Sequence, residues 1–187
     1  MTSKIKEKET LGLYGNFGFS VYDKGKLVLQ VRKKNQITNE GRTAMLNMLH
    51  PATSNENPLE NQLWSLSIGT NPTPPTVNDD EVSMHPTASG TSVVWTSILD
   101  PIQHEIGVTL NPYYMVEINK TLPTTAAVGA VLTEAGLFTR GTLDDPTQGT
   151  SQNRRLYARQ VHSPITKTSN MQIVYTWQLG ITVVTHI

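Results

Sequence analysis

The stretch Met171 to Val183, MQIVYTWQLGITV, decides the fold. Its odd positions are all apolar or aromatic: Met171, Ile173, Tyr175, Trp177, Leu179, Ile181 and Val183. Gln172, Thr176, Gln178 and Thr182 fall between them. Side chains on an extended chain alternate sides with a period of two, so this pattern describes a long β-strand over a hydrophobic core. At about 3.4 Å per residue it spans roughly 40 Å, longer than an ordinary strand, and a bend or bulge is expected near Gly180. Trp177, Tyr175 and Leu179 are the expected core anchors on this strand, with Trp64 and Phe138 contributed by others.

Working outward, the same alternation recurs in short runs. Leu156 to Val161 reads as a strand followed by a turn at Ser163-Pro164, and Leu132 to Thr139 as another, reached through an extended segment over residues 123–131. Phe17, Phe19 and Val21, then Asp23-Lys24-Gly25-Lys26, then Leu27, Leu29 and Val31 describe a β-hairpin. Trp64, Leu66 and Ile68 mark a strand, as does Val93 to Leu99; Ile106 to Leu110 and Tyr114 to Ile118 are two segments broken at Asn111-Pro112. One helix is expected over Asn39 to Leu49, with Thr38 as N-cap and His50-Pro51 as its stop. Asn71 to Ser92 and Arg140 to Asn153 read as polar loops, the first long, exposed and a candidate contact surface. Many short strands and one helix indicate an all-β sandwich or barrel. The expected architecture is an antiparallel β-sandwich, jelly-roll-like or similar, in one domain over residues 11–187 behind a polar N-terminal arm over residues 1–10.

With 187 residues the chain is long enough to bury roughly 70% of its unfolded surface without staples. It has no cysteine, which excludes disulfides, thiol nucleophiles and Cys-bound zinc and suits a reducing compartment. Fifteen basic and fifteen acidic residues cancel, so charge gives no reason to expect nucleic acid or an anionic membrane as partner. Met1 to Thr10 is charged and polar and no apolar run approaches 18 residues, so neither a signal peptide nor a transmembrane helix is expected.

Catalytic signatures are absent from the sequence. There is no phosphate-cradling G-x-x-x-x-G-K-[ST] and no G-x-S-x-G elbow. His104-Glu105 begins like a zinc-protease helix, but the second histidine would have to be Val108. His50, His85, His104, His162 and His186 are scattered, and Asp79-Asp80-Glu81 with His85 fits no EF-hand spacing. Arg32-Lys33-Lys34 and Arg154-Arg155 are basic runs without interleaved aromatics and read as charged rims. No enzyme activity, cofactor, metal or small-molecule substrate is expected.

Glu134 is the exception to the bland reading. It sits in the otherwise apolar strand Leu132 to Phe138, where an acid is costly unless paired. Arg159 or Lys167, flanking the penultimate strand, is the expected partner in a structural pair that holds strand register. Lys4, Lys6 and Lys8 of the arm and Asp79, Asp80 and Glu81 of the long loop are candidate assembly contacts.

Several stretches in fixed order carry a resemblance. They are Thr38-Asn39-Glu40-Gly41-Arg42 running into Leu46 to Leu49, Leu66-Ser67-Ile68-Gly69-Thr70, Thr133-Glu134-Ala135-Gly136-Leu137-Phe138, Ala158 to Thr168, and Tyr175-Thr176-Trp177. This succession, over roughly residues 35 to 183, resembles that of small virion proteins of tailed bacteriophages. The resemblance implies a structural part, made in the host bacterial cytoplasm and built into the virion. It would assemble with itself as a symmetric oligomer and with other virion proteins, at the tail, neck or baseplate, with a role in anchoring fibres. Two alternatives are a decoration or cement protein on the phage head, and a receptor- or glycan-binding module using Trp64, Trp95, Tyr113 and Tyr114.

Overall fold

The computed structural model describes residues 8–49, 63–80, 96–97, 113–139 and 155–186. Period-two stretches become strands, and two antiparallel sheets result. In the first, β1 (Lys8–Asp23), β2 (Lys26–Lys34), β6 (Tyr113–Leu122) and β9 (Met171–His186) lie in the order β2-β1-β9-β6. In the second, β3 (Gln36–Ile37), β4 (Leu63–Gly69), β5 (Thr96–Ser97), β7 (Val131–Thr139) and β8 (Leu156–Thr166) lie in the order β3-β8-β7-β4-β5. The helix α1 spans Asn39–Leu49, as the capping pattern requires. It is the only helix among the described residues and is too short to cross a membrane.

β9 is central to the first sheet. It pairs with β1 along the whole of both strands, from Lys8 opposite His186 to Asp23 opposite Met171, and with β6 on its other side. Of its predicted inward row, Ile173, Tyr175 and Trp177 are wholly enclosed and Leu179 is buried. They join Phe17, Phe19, Ile118 and Leu122 of the same sheet and Leu66, Ile68, Leu132, Leu137, Tyr157 and Ile165 of the other in one apolar cluster. That shared cluster makes the two sheets a sandwich. Aromatic rings dominate its centre, with the Phe17 and Trp177 centroids 4.7 Å apart at a tilt of 59°. Among the described residues the Tyr175 hydroxyl and Trp177 Nε1 find no hydrogen-bond partner, so these rings serve as apolar bulk.

Several sequence expectations need correction. The register of β9 runs through Gly180 without a shift; Tyr14, opposite on β1, covers that position, and a Cβ at Gly180 would lie 2.2 Å from its ring. Ser163-Pro164 does not end β8. The strand continues to Thr166, and a register shift between Leu132 and Glu134 of β7 takes up the extra residues, so a bulge accommodates the proline that lacks an N–H. The stretch before β7 is not extended: Pro123 to Ala130 makes two turns, with Ala127 and Gly129 at positive φ (52° and 84°). The β1–β2 turn has the left-handed Lys24-Gly25 pair that a tight hairpin demands (φ 49° and 77°). β1 begins at Lys8, inside the segment expected as an arm; residues 1–7 lie outside the described residues. So do most of Val93 to Leu99, Ile106 to Leu110 and the second polar loop.

One buried group, His162, makes stability depend on pH. His162 packs between Phe17 and Phe19, its Nδ1–H donates to the Ser163 carbonyl at 2.8 Å, and its buried Nε2 has no partner among the described residues. Burial, assisted by the nearby Lys33 ammonium, holds the imidazole below its ordinary value of 6.5. The unfolded chain therefore takes up a proton that the folded chain refuses, and stability contributed by neutral His162 is full above pH 6.5 and falls below it. His162→Phe is expected to flatten the fall in urea midpoint between about pH 7.5 and pH 5. An unchanged slope in the variant would show that His162 is not its source.

Candidate functional site

Three of the buried charged groups among the described residues, Arg159, Glu134 and Asp79, converge on the second sheet. Arg159 of β8 stands opposite Gly136 of β7, and Glu134 lies two residues further along β7, so both side chains project from the same face as diagonal neighbours. The Arg159 side chain is 1% exposed and that of Glu134 is fully buried, and Nε donates to Glu134 Oε2 at 2.8 Å. The expected structural pair is thus Glu134 with Arg159.

Arg159 has a second carboxylate partner that sequence reasoning missed. Its other guanidinium edge donates through Nη1 to Asp79 Oδ2 at 2.7 Å, and Nη2 points at the Asn71 carbonyl at 3.4 Å. Glu134 Oε1 in turn accepts the Asn71 backbone N–H at 2.8 Å. Asp79, expected as an exposed assembly contact, is buried, and the loop it belongs to is fastened to the sheet over Asn71 to Asp79. The loop's own chemistry shapes that approach. Asn71 Oδ1 accepts the Thr73 N–H, and Thr76 Oγ1 donates to Asp79 Oδ1 at 2.8 Å. Burial would push the Asp79 carboxyl up, but hydrogen bonds from Arg159 and Thr76 together outweigh it and hold the group below its ordinary value.

The start of α1 locks onto the same assembly. Thr38 caps the helix by accepting the Gly41 N–H on Oγ1 at 2.9 Å, and the same hydroxyl donates to the Leu156 carbonyl. The Asn39 N–H, unpaired within the helix, donates to the Val77 carbonyl at 2.7 Å, and Glu40 accepts the Leu156 N–H. Gly41 permits the contact: a Cβ there would sit 2.1 Å from the Tyr157 carbonyl oxygen. Helix start, loop, β7 and β8 therefore form one knot around Arg159.

Lys167 is elsewhere. It is buried, which lowers its pKa, and its ammonium donates to the carbonyls of Thr124 and Thr168, closing the turns before β7. Of the other expected residues, Phe138 is buried with Leu156 in a small separate cluster, and Leu179 lies in the main core. Asp80 is exposed. Lys4, Lys6, Glu81 and Trp95 lie outside the described residues; Lys8, Trp64, Tyr113 and Tyr114 are placed in strands, but their side chains lie outside the described ones.

A second polar patch covers the outer face of the first sheet. Gln178 and Asn119 each donate to the Glu117 carboxylate at 2.8 Å, and these bonds hold its pKa below the ordinary value against burial, with Arg32 nearby. Glu117, Gln178 and Arg32 border a hollow of about 110 Å³ at Gly18. Among the described residues no three His, Asp or Glu side chains gather where they could hold a metal ion. The chain matches no protein-family model, no curated protein and no solved structure.

In the Arg159 knot all four carboxylate oxygens and three guanidinium N–H groups bond to one another, to the Thr76 hydroxyl or to the Asn71 backbone, which is what a structural tie requires. A double-mutant cycle on Glu134→Gln and Arg159→Met is expected to return a coupling of roughly 1–3 kcal/mol in unfolding free energy, with Glu134 and Lys167 coupled near zero. Equal coupling to both bases, or none to Arg159, contradicts the assignment.

Proposed function

We propose that this protein is a structural component of a tailed-phage virion, assembling as a symmetric oligomer at the tail, neck or baseplate. One observation carries the reading: four of the five stretches that resemble small virion proteins meet at the Arg159 knot, and the fifth, Tyr175 to Trp177, lies in the core of the other sheet. Thr38 to Gly41 contacts Leu156 and Tyr157 beside it, Glu134 and Arg159 form its centre, and Leu66 to Thr70 runs alongside β7 into Asn71. The motifs thus mark residues that build a rigid two-sheet body. Such a body suits a part that bears load within a particle, and its surface strands and loops are free to specify neighbours.

Light scattering on the purified protein is expected to give a defined oligomer, and labelled antibody is expected to mark the tail or neck of intact particles in electron micrographs. Label spread over the head would replace this reading with the decoration one. A monomer absent from particles would overturn both.

A further inference from the structure

Beyond the pairing of Asn16 with Lys34, β2 leaves β1, and the chain crosses through Asn35 to the second sheet, where it enters β3 at Gln36. A cavity of about 320 Å³ lies at this crossover, between β1 and the first turns of α1, with Leu13 and Ile37 as its apolar wall. Two cations line it, Lys34 at the end of β2 and Arg42 of α1, and none of the lining residues is acidic. Both cations are exposed. The ion pairs printed among the described residues centre on Arg159, and Lys34 takes part in none of them. Arg42 gives one guanidinium N–H to Asn39 Oδ1 at 3.3 Å. Two positive charges therefore face one space without a carboxylate to neutralise them.

A third polar group stands in the same wall. Asn35 is fixed by its backbone, whose N–H donates to the Gly15 carbonyl at 2.7 Å. Its side chain lies so close to β1 that a Cβ at Gly15 would come within 2.9 Å of Nδ2. Both polar atoms of that amide are buried, and neither has a hydrogen-bond partner among the described residues. A buried amide is normally bonded, so one left unspent beside a basic cavity marks a place where a ligand supplies the missing partner.

We propose that this cavity binds a small phosphate monoester, with the Arg42 guanidinium and the Lys34 ammonium on the phosphoryl oxygens and the Asn35 amide as a further donor. Charge selects this class. A carboxylate brings one negative charge, whereas a phosphate monoester brings about −1.5 to −2 at pH 7 on three acceptor oxygens, which matches two cations with no acid between them. A phosphoryl group fills only part of the cavity, and the space beside Leu13 and Ile37 takes the body of the ester. The site belongs to a single chain, so it stands or falls independently of the virion reading.

Nitrogen-15-labelled protein titrated with phenyl phosphate and followed by NMR tests the proposal. Saturable shifts are expected at the Gly15 and Asn35 backbone amides and at the Asn35 side-chain NH₂. Benzoate, which has the same ring and a single charge, should bind at least about ten-fold more weakly. Lys34→Gln and Arg42→Gln, both at exposed positions, should each weaken phenyl phosphate by roughly ten-fold at an unchanged thermal midpoint. Lys33→Gln removes a neighbouring cation that does not line the cavity and should change the affinity by no more than about two-fold. Shifts that spare Gly15 and Asn35, or benzoate binding as tightly as phenyl phosphate, overturn the proposal. A loss in Lys33→Gln as large as in Lys34→Gln also overturns it, since that result describes general attraction to a basic strand end.

Discussion

Taking a guanidinium out of water between two carboxylates is the constraint around which the second sheet, the helix start and the loop after β4 are arranged. A buried charge is tolerated only when its partners are in place, and removing one of them costs about 3–5 kcal/mol. Arg159 draws its partners from β7 and from a loop 80 residues away in sequence. Glu134 needs Arg159 for one oxygen and the Asn71 N–H for the other. Lifting the loop therefore takes one of its two carboxylates from Arg159 and the Asn71 N–H from Glu134, and it removes the acceptor of the Asn39 N–H at the start of α1. A polar segment of Pro, Thr and Asn residues becomes part of the rigid body through electrostatics, with little apolar burial of its own.

The sandwich was legible because its strands carry one buried face. The alternating row of β9 is the clearest case, and the bounds of α1 follow from Thr38 and His50-Pro51 flanking the helical spacing. Glu134 was legible as an anomaly: an acid among apolar neighbours calls for a base, and strand geometry narrows the choice. Between Arg159 and Lys167 the sequence could not decide, because both flank the same region. The structure separates them by reach, with Lys167 spent on the carbonyls of Thr124 and Thr168.

Asp79 was misread for a physical reason. In the run Asp79-Asp80-Glu81 nothing local distinguishes the buried acid from an exposed one, since its environment is set by Arg159 across a long loop. The one local signal was Thr76 three residues earlier, which forms a turn whose hydroxyl orients the Asp79 carboxylate. Ser163-Pro164 failed similarly: proline marks an interruption of pairing, and whether that interruption is a turn or a bulge depends on the neighbouring strand, here β7. The bonds of the knot are made within the chain, so contacts with other molecules fall to the surfaces that the rigid body holds out.

Amide hydrogen exchange on the native protein tests most directly whether the Asn71 to Asp79 segment belongs to that body. The Asn71 and Asn39 amides, donated to Glu134 and Val77, should exchange as slowly as amides in β7 and should both lose protection in Arg159→Met. Exchange at the rate of an open loop in the wild-type protein, or protection unaffected by the loss of Arg159, would contradict the account.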